Sequence, residues 1–188
     1  MWNAAKVKYQ NIAVPLDAES IMNFVLSKVP ESVQEAYYKD NMTMEFCTQS
    51  EVQDTSYNAF RKMGKSKSWA WWDATQTVGS FQSKKNLIQV SQRTVKHSLL
   101  DYPTGWKNHI DIAGHELGHY VDYICGLSHR NKFFLEAYQA ERFKFDRYTA
   151  NSPSEYFADC FWLTCMYPEE MKEELPETYA WFKEYLAN

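Results

Sequence analysis

The sequence predicts an α+β domain in which a mixed helix-and-strand part precedes a helical part. Three observations predict it. Strand-like patterns are confined to residues 42–92, the hydrophobic period turns helical after Pro103-Thr104-Gly105, and the later helices carry recognisable start and stop residues. In order, 18–39 reads as one or two helices broken near Pro30, with Ile21, Phe24, Val25, Val29 and Val33 as apolar positions. Residues 42–48 alternate as a strand does, with Met42, Met44 and Phe46 on one face. Further strands are expected over 69–72 and 86–92 (Leu87, Ile88, Val90), joined by a turn region at Gly79-Ser80. Ile110, Ala113, Leu117, Tyr120, Val121 and Ile124 then fall on helical spacing, with Gly126 as the stop. A second helix is expected over 131–145. Ser152-Pro153 opens a third, Ser as cap and Pro at the first helical position, and Pro168 and Pro176 start two short terminal helices.

At 188 residues the chain has the length of one domain, 1–188, divided into a mixed part (1–105) and a helical part (106–188). It is 45% hydrophobic and 16% aromatic, which places it among globular chains and not disordered ones. A net charge of −4 with interspersed signs leaves no basic footprint for nucleic acid, and the basic stretch over 61–67 reads as a solvated loop. No apolar run has the length of a membrane span. Residues 1–15 lack the apolar core of a signal peptide, so the expectation is either a protein working inside the cell or a mature form whose leader has been removed. Cys47, Cys125, Cys160 and Cys165 form no CxxC pair and are expected to be mostly buried free thiols. A monomer is expected.

The chemistry lies in His115-Glu116-Leu117-Gly118-His119. On a helix, positions i and i+4 share a face one turn apart, so two imidazoles can hold one ion. The intervening glutamate points aside, towards a water on that ion. That pair of ligands with an adjacent base is the arrangement of a zinc hydrolase. A catalytic zinc takes three protein ligands and keeps one position open. His97, His109 and His129 read as surface or core residues, and His129 follows the helix end too closely to return to the metal. Glu155, 36 residues after His119, has enough chain before it to return. Asp159 lies one turn further on the same face, placed to accept from the free N–H of a ligating histidine. Small Ala158 lets the two helices approach. Glu155 has a second reading, as the residue that closes a capping box with Ser152.

The run Tyr148-Thr149-Ala150-Asn151-Ser152-Pro153-Ser154-Glu155-Tyr156-Phe157-Ala158-Asp159-Cys160-Phe161 resembles the third-ligand segment of the anthrax lethal factor catalytic domain. It is equally similar to that of the bacterial Pro-Pro endopeptidases. The tail Leu175-Pro176-Glu177-Thr178-Tyr179-Ala180-Trp181-Phe182 resembles their following segment, and the resemblance is good over 111–186. It implies a zincin-like fold, a small mixed sheet followed by helices carrying HExxH and the third ligand. It further implies a bacterial, toxin-like, secreted zinc endopeptidase of the gluzincin type, acting on a peptide or protein. By that resemblance His115, His119 and Glu155 bind one Zn2+, Glu116 is the base and Tyr148 stabilises the oxyanion. Ser154 stands where the Pro-Pro endopeptidases carry an acidic residue. The run Tyr120-Val121-Asp122-Tyr123 shares the family's Asp but offers a Tyr where those enzymes can have His. Tyr102-Pro103-Thr104-Gly105-Trp106 replaces their Gly-Ser-rich loop.

A substrate cleft is expected from Trp71, Trp72 and Trp106, with 86–92, including Ile88 and Val90, as an edge strand on which an extended peptide pairs. Core packing is the competing reading of the tryptophans. Two other functions compete with the peptidase. One is a binding or effector module with a structural or vestigial zinc. The other is a deformylase-like hydrolase, which would need a cysteine ligand upstream, where only Cys47 stands.

Overall fold

The computed structural model describes residues 18–68, 70, 77–91, 95–96, 106–107, 109–145 and 147–186. Helix α1 (Ala18–Lys28) and α2 (Glu31–Lys39) are separated at Pro30, which cannot donate to a continuing helix. Ile21, Val25, Val29 and Val33 are buried from this pair, and Phe24 packs at the margin of the core. Strand β1 (Thr43–Cys47) follows, then α3 (Gln49–Lys62), β2 (Gly79–Gln82) and β3 (Leu87–Ser91). A short antiparallel pair, β4 (Val95–Lys96) with β5 (Trp106–Lys107), leads to the helical part.

That part comprises α4 (His109–Cys125), α5 (Lys132–Glu141), α6 (Arg147–Ala150), α7 (Pro153–Met166), α8 (Pro168–Glu174) and α9 (Pro176–Leu186). No helix among the described residues is long and apolar enough to cross a membrane. The small mixed sheet with helices behind it is the α+β architecture that the sequence predicts, in the arrangement that the resemblance implies.

The sheet runs β1-β3-β2, with β1 and β3 parallel and β2 antiparallel to β3. This corrects the expectation for 86–92. The strand there is central, not an edge, and Ile88 and Val90 are both fully buried. Leu87, Ile88 and Val90 put apolar side chains on both faces, which suits a strand covered on both sides and not one facing a cleft. The edges of the sheet, among the described residues, are instead β1 and β2.

Gly79-Ser80 is not a turn but the start of β2. The chain reverses through a 3₁₀ turn at Ser83–Lys85, with Asn86 at φ 50°, a conformation Asn tolerates better than most residues. Of 69–72 only Ala70 is described. Its amide donates to the Ser66 carbonyl, a helical contact where a strand was expected. Helix α3 was not anticipated, because Val52 is its one fully buried aliphatic among polar neighbours. Its signal is local, a capping box between Thr48 and Glu51.

Helix α4 lies between the sheet and α7. It is therefore buried nearly all round, from Ile110 to Gly118 without a break. Ile124 in its last turn is 41% exposed, outside the apolar stripe assigned to it. The two central helices meet where a Cβ on Gly118 would lie 2.8 Å from the Cα and the carbonyl oxygen of Ala158, so only glycine permits the approach. An aromatic cluster of Phe134, Tyr156, Phe157, Phe161, Trp181 and Phe182 joins α5, α7 and α9 behind that contact.

None of the four cysteines forms a disulfide, and Cys160 alone is buried; Cys47 and Cys165 are half-buried and Cys125 is exposed. The expectation of mostly buried thiols fails for Cys125, which sits in the last turn of α4 beyond its packed stretch.

Candidate metal centre

His115 and His119 stand one turn apart on α4, with ring centroids 4.7 Å apart and the planes at right angles. Ser152 caps α7 by accepting from the Glu155 amide at 3.3 Å, and Pro153 follows at the first helical position. The cap starts α7 opposite the middle of α4. The Glu155 carboxylate points to the imidazoles, 3.2 Å from Nε2 of His115 and 3.4 Å from Nε2 of His119. Its second reading, as the closing half of a capping box, is left without its carboxylate.

The three donor atoms lie within 4.8 Å of one another and form a possible metal-binding group among the described residues. Donors roughly 2.0–2.1 Å from a tetrahedral zinc stand about 3.3–3.4 Å from one another, so the two Glu155 separations match edges of such a tetrahedron. The donor chemistry fits too, since imidazole and carboxylate are zinc's usual nitrogen and oxygen ligands.

The ring nitrogens facing away from this group are also engaged. His115 Nδ1 lies 2.6 Å from Asp159 Oδ1, and the other oxygen of Asp159 accepts from the Thr149 hydroxyl at 3.0 Å. Both partners are buried. A carboxylate only accepts, so Nδ1 of His115 carries the proton and its Nε2 lone pair is left for the metal. His119 Nδ1 lies 3.3 Å from Ser154 Oγ, which also lies 3.1 Å from Asp122 Oδ2. Burial alone would raise the pKa of Glu155. In the metal-free site the two imidazoles when protonated, His119 foremost, outweigh burial and hold the carboxyl well below the usual carboxylate range. The third donor is therefore anionic at neutral pH.

Glu116, directly after His115, is buried against β2: a Cβ on Gly79 would lie 2.5 Å from Glu116 Oε1 and 2.7 Å from a methyl of Ile112. Tyr148 falls in α6, which packs on α7, and its side chain lies outside the described ones. Trp71 and Trp72 lie outside the described residues, and of Trp106 only its place in β5 is described. His97 is likewise outside, His129 is exposed, and His109 opens α4. The sequence did not point to Gly79 or Thr149. It offered Ser154 and Asp122 only as a difference from, and a likeness to, known relatives.

The family model described as anthrax toxin lethal factor, N- and C-terminal domain, matches residues 8–185 of this chain. The match reaches well beyond the 111–186 stretch that carries the recognisable motifs. Among solved structures, the Pro-Pro endopeptidase PPEP-2 from Paenibacillus alvei is similar, with a TM-score of 0.62 over 91% of this chain and 94% of that one. The two are 19% identical, so the likeness speaks for the fold. No curated protein sequence matches.

Proposed function

This chain belongs to the anthrax toxin lethal factor domain family, and from that premise we propose that it is a zinc-dependent endopeptidase of the gluzincin type. The observation that carries the reading is the convergence of His115, His119 and Glu155 within 4.8 Å beside an unligated, buried Glu116. When bound, zinc supplies Lewis acidity, lowering the pKa of a water from about 15.7 to about 7. His115, His119 and Glu155 would hold it, one position remaining open to solvent or substrate.

Glu116 takes the proton of the attacking water at its carboxylate and returns it to the leaving amine nitrogen, base first and acid second. Tyr148, by family resemblance, donates its hydroxyl hydrogen to the oxyanion of the scissile carbonyl. The substrate is a peptide or protein. Its extended backbone pairs with the outer edge of β2, because that strand ends the described sheet and runs past Glu116 at Gly79. A structural or vestigial site accounts less well for these residues, since it has no use for a buried carboxylate next to its ligands.

A peptide-library digest read by mass spectrometry, with and without chelator, tests the proposal. Cleavage that disappears with chelator and returns with zinc is expected, and the cut sites report the specificity, Pro-Pro bonds included. Replacing Glu116→Gln should keep zinc bound and abolish cleavage. Turnover unaffected by either treatment would sink the proposed mechanism.

A further inference from the structure

The two histidines of the metal centre are oriented by different means. His115 meets a carboxylate directly, whereas His119 meets the hydroxyl of Ser154 at 3.3 Å. A serine hydroxyl has one hydrogen to give and lone pairs to accept with. The direction of that hydrogen is decided by Asp122, whose Oδ2 lies 3.1 Å from Ser154 Oγ and, being a carboxylate oxygen, only accepts. Ser154 therefore donates to Asp122 and must accept from Nδ1–H of His119. The His119 Nε2 lone pair is then aimed at Glu155 and the metal position.

Asp122 is itself held. It is buried in the last turns of α4, where Oδ1 accepts from the Ser128 amide at 2.8 Å and Oδ2 accepts from the Ser128 hydroxyl at 2.6 Å. The chain just past α4 thus fixes the carboxylate, the carboxylate fixes the Ser154 hydroxyl, and the hydroxyl fixes the ring. Ser154 sits one residue before Glu155, so the segment that brings in the third ligand also orients the second.

We propose that Ser154 is a positioning residue of the metal centre, relaying the charge of Asp122 to His119 and fixing that ring as its Nδ1–H tautomer. This rests on the reading of His119 as a zinc ligand. Partners of this kind typically change metal affinity by roughly 10–100-fold when removed, because they hold the ring in place and raise its donor strength.

The test is zinc affinity, measured by competition with a chromogenic chelator, on the full chain and the variants Ser154→Ala, Ser154→Thr and Ser128→Ala. Ser154→Ala should bind zinc roughly 10–100-fold more weakly, and Ser154→Thr, which keeps the hydroxyl, should restore the affinity. Ser128→Ala removes one of the two bonds from Ser128 that hold Asp122, while the Ser128 amide and the Ser154 hydroxyl stay in place, and it should weaken zinc binding by less than Ser154→Ala does. Independently of metal, long-range ¹⁵N–¹H NMR of the apo protein should show His119 protonated at Nδ1 in the parent and a tautomer mixture in Ser154→Ala. Parent-like zinc affinity in Ser154→Ala, or an equal loss in Ser128→Ala, overturns the relay while leaving the metal site standing. A parent chain that binds no zinc overturns the metal reading itself, and the relay with it.

Discussion

Gly118 on α4 and Ala158 on α7 touch backbone to backbone, one residue before His119 and three after Glu155. The separation available to a side chain there is 2.8 Å, too little for any atom. Close approach of the helices and convergence of the donors are thus one geometric fact. Gly118→Ala should push α7 outward, costing about 1–3 kcal/mol of stability as overpacking does. It should also widen the His119–Glu155 separation from 3.4 Å. Zinc affinity should fall together with melting temperature. Weakened stability with unchanged zinc affinity would show that the donors are positioned by something other than this contact.

Tyr148 is expected to act on the transition state and not on the metal. Tyr148→Phe should lower kcat by roughly 10²–10³-fold, the usual loss on removing one oxyanion donor, while KM and zinc affinity change little. Steady-state kinetics beside a zinc titration separate the two. A large drop in zinc affinity would make Tyr148 a ligand instead.

The buried carboxylate of Glu141 at the end of α5 receives the backbone amides of Glu177 and Thr178, both at 3.0 Å, and so caps the start of α9. Two free N–H groups at a helix start meeting one charge make a strong local tie. Glu141→Ala should cost about 2 kcal/mol or more, since hydrogen bonds to charged groups contribute roughly 1.5–3 kcal/mol. For a chain of this size that is a fall of roughly 4–8 °C in melting temperature. Calorimetry checks it, and zinc affinity should be untouched because α9 meets α7 through the aromatic cluster and not at the donor residues.

At alkaline pH the limit is set in part by Tyr37. Burial, with the neighbouring Tyr38 charge adding to it, pushes its pKa up to about 12. The unfolded phenol ionises near pH 10, so the folded state binds the proton more tightly. The resulting stability is present in full below about pH 10 and is lost as pH rises from there through about 12. Chemical denaturation over that range should show a decline that Tyr37→Phe flattens. An equal decline in the variant would assign the loss to other groups.

The parts of the site legible in sequence are those set by local chemistry. HExxH shows on a single helix, Ser152-Pro153 announces the start of α7, and Asp159 follows Glu155 by one turn. The family motifs added the order of the parts. What sequence reading did not reach depends on partners far apart in the chain. The β1–β3 pairing joins residues 43–47 to 87–91, and without it the apolar run at Leu87, Ile88 and Val90 reads as an edge. Its two-sided hydrophobicity was the available sign that it is central. The Asp122–Ser154 contact spans 32 residues and carries no motif of its own. Gly79 looked like a turn because glycine usually marks one; its use is steric, as a place where β2 passes Glu116 without a side chain.

That steric role makes Gly79 a test of where Glu116 must stand. A Cβ there would lie 2.5 Å from Glu116 Oε1, 2.8 Å from its Cγ and 2.7 Å from Ile112. The Ile112 side chain is fully buried and cannot yield easily, so the glutamate side chain moves. None of the three metal donors is among the atoms met, so Gly79→Ala should bind zinc as the parent does. A displacement on the order of 1 Å at a catalytic group can cost about 10²-fold in rate, and kcat should fall by that order. Chelator competition reads the first, and peptide-cleavage kinetics on zinc-loaded protein read the second. Retained kcat in Gly79→Ala would mean that Glu116 tolerates displacement and that β2 does not hold the base.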